Sequence, residues 1–112
     1  MWLMTRIGFF SIVRKPGDGD LTIRARVRED LETLQQHYLP ALGPITTKAG
    51  TDYPFRAMAS ASDVAAATAK MIDDIDYPNF KNEVGKRQGT ARAHAYSRVW
   101  QALLKLEKGG IE

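Results

Sequence analysis

Two hydrophobic periods alternate along this chain. From Leu21 to Arg28 the character changes at every residue, with Leu21, Ile23, Ala25 and Val27 on one side and Thr22, Arg24, Arg26 and Arg28 on the other. That is the period of a half-buried strand. Trp2 to Val13 is rich in aromatic and β-branched residues, and Lys15-Pro16-Gly17-Asp18-Gly19-Asp20 between the two runs is a strong turn signal, so this region reads as a β-hairpin. If Arg14 pairs with Leu21, Ser11 lies opposite Arg24 and Phe9 opposite Arg26. Directly opposed residues share a face, so Phe9 stands among the arginines. A loop one residue different exchanges Phe9 for Phe10.

Helical spacing takes over at Glu29 to Leu39, with Leu31, Leu34 and Tyr38 on one stripe and acids in the first turn. Pro40, Gly43 and Pro44 end it. A second hairpin is expected from Ile45 to Ala49 and Tyr53 to Ala59 around Gly50-Thr51-Asp52, with Pro54 suited to an edge strand or a strand start. Ser60 or Ser62 then caps a helix carrying Val64, Ala67, Thr68, Met71, Ile72 and Ile75 at helical spacing. Pro78 forces Tyr77 out of helical geometry, so this helix ends near Asp76. Asn79 caps a short helix, Phe80 to Gln88, that Gly89 closes, and Tyr77, Phe80 and Val84 are placed to pin the corner. A last helix, Thr90 to Lys108, puts Tyr96, Val99, Trp100, Leu103 and Leu106 on one face and His94, Arg98, Gln101 and Lys105 on the opposite one.

The pattern predicts an α+β fold: a four-stranded, mainly antiparallel sheet of two hairpins with helices on one face, in the order ββαββααα. We expect a single domain over 1–108 and a flexible tail over 109–112. The second sheet face is then open, or covered by a partner chain.

Composition narrows the function classes. The chain has 112 residues, 44% hydrophobic and 26% charged, an ordinary globular balance. With no cysteine, it has no disulfide, thiolate metal site or cysteine nucleophile. The apolar N-terminal run is interrupted by Arg6 and followed by no small-residue cleavage site, and no apolar stretch is long enough for a membrane span. We therefore expect a cytoplasmic protein with no membrane partner. The net charge of +3 permits an anionic partner without demanding one.

Catalytic signatures are lacking. Gly17-Asp18-Gly19 reads as a hairpin turn, and no phosphate loop, nucleophile elbow or metal-ligand spacing is present. His37 closes a helix. His94 lies one turn before Arg98 on a polar face, so an enzyme centred on His94 is the third reading. Asp73, Asp74 and Asp76 crowd a helix C-terminus, where the dipole disfavours negative charge. They should be solvated or paired, and Lys81, Lys86 and Arg87 are the nearest cations in sequence. Their spacing matches no calcium loop. No cofactor is called for.

The segments RIGFFS, DYPFR, DYPNFKN and HAYSRVW, in that order, resemble a set of short uncharacterised bacterial proteins of about this length. The resemblance implies a compact bacterial domain and carries no activity.

Binding is the stronger case. Arg24, Arg26 and Arg28 on one strand face, with Phe9 beside them, combine charge neutralisation with a stacking surface, the recipe for single-stranded nucleic acid or a nucleotide on a sheet. Arg6, Arg14 and Arg56 extend the patch, and Lys81, His94 and Arg98 complete the candidate ligand-binding set. The bland alternative is a solubilising face whose arginine heads pair with Asp or Glu. A protein-interaction or homodimer module using the same face is the runner-up, with Trp2, Phe9, Phe10 and Tyr53 as anchors.

Overall fold

The computed structural model describes residues 1–109, and the chain divides into two compact units, Met1–Asp76 and Tyr77–Glu112. The expected tail lies outside the described residues apart from Gly109.

The first unit is a five-stranded antiparallel sheet with two helices. Its elements are β1 (Trp2–Thr5), β2 (Gly8–Val13), β3 (Leu21–Ala25), α1 (Arg28–His37), β4 (Thr46–Thr47), β5 (Phe55–Ala59) and α2 (Ala61–Asp73). The strands lie in the order β1-β2-β3-β5-β4. The fold is α+β as expected, but the sheet has five strands rather than four, because the run Trp2 to Val13 is itself a hairpin. It reverses at Arg6-Ile7, where no turn-forming residue stands. The reversal is built by neighbours instead. The Thr5 hydroxyl accepts from the amides of Ile7 and Gly8 and donates to the Gly8 carbonyl at 2.8 Å. The buried Asp30 carboxylate, arriving from α1, accepts from the Phe9 amide at 3.0 Å. A Cβ on Gly8 would stand 2.7 Å from Asp30 Cγ, so this close approach requires glycine.

The β2–β3 register is the expected one, Ser11 opposite Arg24 and Ile12 opposite Ile23. Alternation then divides the sheet. Leu3, Phe10, Ile12, Ile23, Ala25, Ala57 and Ala59 face Leu31 and Leu34 of α1 and Val64 and Ala67 of α2, and Phe10, Ile23 and Leu31 are fully buried. Each large side chain buried this way contributes roughly 1.5–3 kcal/mol of transfer free energy. Packing is close, leaving a void of only about 10 Å³ among these apolar residues, at the lower limit for one water. No helix of this unit covers the opposite face.

α2 is capped by Ser60, whose hydroxyl accepts from the Asp63 amide at 3.1 Å. It ends at Asp73, before Ile75, and both Ile75 and Ile72, the latter within the helix, are exposed rather than in the core. Two of the acids at this helix end, Asp74 and Asp76, are met by a cation distant in sequence. Arg6 donates to the Asp76 carboxylate at 2.7 Å and to the Asp74 carbonyl at 2.9 Å, while the Tyr38 hydroxyl donates to Asp74 Oδ2 at 2.8 Å. This cluster offsets charge that the helix dipole would otherwise disfavour. It also ties the β1–β2 turn and the end of α1 to the end of α2. Burial first, and then the hydrogen bond to Asp74 and its charge, raise the Tyr38 phenol above its ordinary value; Arg6 acts in the other direction.

The second unit contains α3 (Phe80–Gln88), α4 (Thr90–Leu103) and a final 3₁₀ turn, Leu104–Lys108. Asn79 caps α3 by accepting from the Asn82 amide at 2.9 Å, and Gly89 takes φ +91° between the two helices, a conformation that favours glycine. The helices run back along each other, with the Phe80 and Tyr96 rings stacked at 5.9 Å and Val84 fully buried. The apolar stripe expected on α4 is buried only at Tyr96; Trp100, Leu103 and Leu106 are exposed. α3 has the shorter span and begins at Phe80, and toward the far end of α4 it offers Lys81, over the Trp100 ring, rather than an apolar side chain.

Among the described residues, no helix is long and apolar enough to cross a membrane.

Candidate functional site

The sheet face that no helix of this unit covers has a row of directly opposed residues crossing all five strands, Trp2, Ser11, Arg24, Arg56 and Thr46, in which Ser11 is buried. Neighbouring strands are about 4.8 Å apart, so the row spans roughly 19 Å. At its centre Arg24 and Arg56 are cross-strand partners. Like charges directly opposite destabilise a sheet, by something in the range of about 0.2–1 kcal/mol for a pair of this kind. Among the described residues neither Arg24, Arg26 nor Arg56 has a carboxylate within 4 Å to relieve them, in contrast to Arg6, Arg28 and Arg87, which are ion-paired.

Tyr53, just before β5, gathers these arginines. Its ring is buried, with the Arg24 guanidinium 4.6 Å and the Arg26 guanidinium 4.9 Å from the centroid, a cation–π arrangement. Arg56 Nε donates to the Tyr53 carbonyl at 3.1 Å. Arg24 also donates from Nη2 to Ser11 Oγ at 2.6 Å, while its Nε is buried with no hydrogen-bond partner among the described residues. A buried donor left unpaired costs about 1–3 kcal/mol. The sequence pointed to the arginines and missed Tyr53 as their hub. The signal available was its place two residues before the strand that carries Arg56.

Beyond Arg56 the face falls into a hollow of about 420 Å³, lined by Thr22, Thr46, Arg56, Met58, Lys15 and Asp18 among others. At the opposite end, Trp2 is 62% exposed and meets the Phe9 ring edge-on, 5.3 Å between centroids. Phe9 thus shares the arginine face, but its cross-strand partner is Met4 in β1, and Arg26 lies beyond the end of β3.

The remaining candidates lie elsewhere. Arg28 is not on the strand face: β3 ends at Ala25, and Arg28 opens α1, paired with Glu32 at 3.2 Å. Arg6 is held by Asp76 and Asp74, its side chain 11% exposed. Arg14 bonds the Gly19 carbonyl in the β2–β3 loop. In the second unit, Lys81 lies over the Trp100 ring at 4.8 Å, and His94 and Arg98 are exposed on α4. Among the described residues no three His, Asp or Glu side chains are gathered to hold a metal ion.

Compared with protein-family models, with curated proteins and with solved structures, the chain matches none.

Proposed function

We propose that this chain is a non-catalytic binding domain that takes an anionic, phosphate-bearing ligand, single-stranded nucleic acid or a nucleotide, on the open sheet face. One observation carries the reading: Arg24 and Arg56 are directly opposed across β3 and β5 with no carboxylate of the described residues between them. A solubilising face would place acids against these heads. Two guanidinium groups kept together at a cost to stability make sense when an anion completes the arrangement, and arginine's planar fork suits phosphate oxygens. The lack of cysteine fits a reducing compartment, so the cytoplasmic reading goes with this one.

The test is a fluorescence-anisotropy titration of short labelled single-stranded oligonucleotides at low and moderate salt, with inorganic triphosphate as competitor. Binding that weakens with salt and disappears in Arg56→Ala is the expected outcome. Retained affinity in Arg56→Ala, or no binding of any anion at low salt, overturns it.

A second reading has its own observation. Trp2 and Met58 stand exposed on the arginine face, 62% and 40%, and aromatics beside arginine are the usual anchors of protein interfaces. Dimerisation that rises with concentration and is lost in Trp2→Ala, without anion binding, would select it.

A further inference from the structure

Resting on the reading of the open face as an anion site, we infer that its ligand is a mononucleotide carrying two or three phosphates, with its nucleoside in the hollow beside Arg56, rather than a nucleic-acid strand. Three features point there.

The positive groups converge. Arg24, Arg26 and Arg56 all meet the one residue Tyr53, two over its ring and one at its carbonyl. A compact polyphosphate matches charges gathered at one place, whereas a strand is better served by charges spread along its path.

The surrounding field does not favour a long polyanion. Unit Met1–Asp76 carries nine Lys and Arg against ten Asp and Glu, a net charge of −1. Attraction is therefore local to the cluster and falls away within about a Debye length, near 8–10 Å at ordinary salt.

The hollow then adjoins the cluster through a shared residue. Arg56 belongs to both, and the volume of about 420 Å³ lies in the usual range for small-ligand sites. Its wall combines Met58 with Thr22, Thr46 and, from the β2–β3 loop, Asp18 and Lys15. A carboxylate facing a phosphate ligand would repel it, but one facing the neutral end accepts hydrogen bonds from ribose hydroxyls or an exocyclic amine. At the loop end Asp18 offsets the single charge of Lys15, whereas three arginines meet at Tyr53, and this imbalance sets the direction: phosphates toward Arg24 and Arg26, sugar and base toward the β2–β3 loop.

Calorimetry on the whole chain with ATP, ADP, inorganic triphosphate and a short oligothymidylate tests this. ATP and ADP should bind at least roughly tenfold tighter than triphosphate alone, the contribution of about one hydrogen bond to a charged group. Asp18→Asn, an exposed loop change that leaves the core untouched, should reduce that advantage while triphosphate binding holds or strengthens. Met58→Trp, with the fold checked by circular dichroism, should exclude ATP and spare triphosphate. Triphosphate binding as tightly as ATP, or the oligonucleotide outcompeting ATP, overturns the nucleotide inference and leaves the anion site standing. No binding of any of the four overturns both.

Discussion

The two faces of the one sheet follow opposite rules. On the covered face every position obeys packing: Phe10, Ile12, Ile23 and Ala57 are apolar, buried and met by α1 and α2. On the open face, one residue along in the same strands, Arg24 and Arg56 repel across a ladder, an Arg24 nitrogen is buried without a partner, and a tryptophan is exposed. The first face accounts for stability, and the second is held in place at its expense. Departure from local rules on one side of a consistent scaffold is the usual physical mark of a functional surface.

The largest perturbation should come from the covered face. Phe10→Ala should lose about 3–5 kcal/mol in urea denaturation, through lost transfer energy and a cavity that close neighbours cannot fill. Gly8→Ala comes next, at about 1–3 kcal/mol, since its Cβ would meet Asp30 at 2.7 Å and disturb the bond to Phe9. The open face should answer differently. Arg24→Ala uncovers Tyr53 and loses the bond to Ser11 but also removes the repulsion and the unpaired Nε, so it should lose ligand binding with a stability change within about 1 kcal/mol. Arg56→Ala removes a repulsion and should leave the denaturation midpoint unchanged or slightly higher while abolishing anion binding. A marked loss of stability in Arg56→Ala would erase the contrast between the faces.

The smallest effect is one of pH. A phenol whose pKa is raised by folding favours the protonated fold, so Tyr38 contributes stability that is present below the unfolded phenol pKa near 10 and is lost as pH rises through its higher folded value. Tyr38→Phe should lower stability by a small, pH-independent amount through the neutral region and flatten the alkaline end of a stability-against-pH curve.

Much of this arrangement was legible in the sequence wherever the cause was local. Alternation in Leu21 to Ala25, the six-residue turn, Ser60 and Asn79 as caps and Gly89 as a break each act within a few residues, and each is where the pattern placed it. The misses have distant causes. The β1–β2 turn depends on Asp30 of α1, the partner of Asp76 is Arg6 at the other end of the unit, and the arginines converge on Tyr53 only after β5 has docked. Arg28 was misplaced because the alternation continues three residues beyond the strand, into the start of α1.

The position of the Arg24–Arg56 pair also bears on how fast the chain folds. β1–β2 and β2–β3 are joined by short reversals, but β3 meets β5 only after α1 and β4 have intervened. That closure is the longest-range step in the sheet and carries the largest entropic cost, so it is the natural rate-limiting event. The two guanidinium groups face each other across that ladder and raise its barrier to the extent that the strands are already paired in the transition state. Refolding should accelerate with moderate salt, which screens them, and more strongly with a bound polyphosphate, which would make the ligand a template for the last strand to dock.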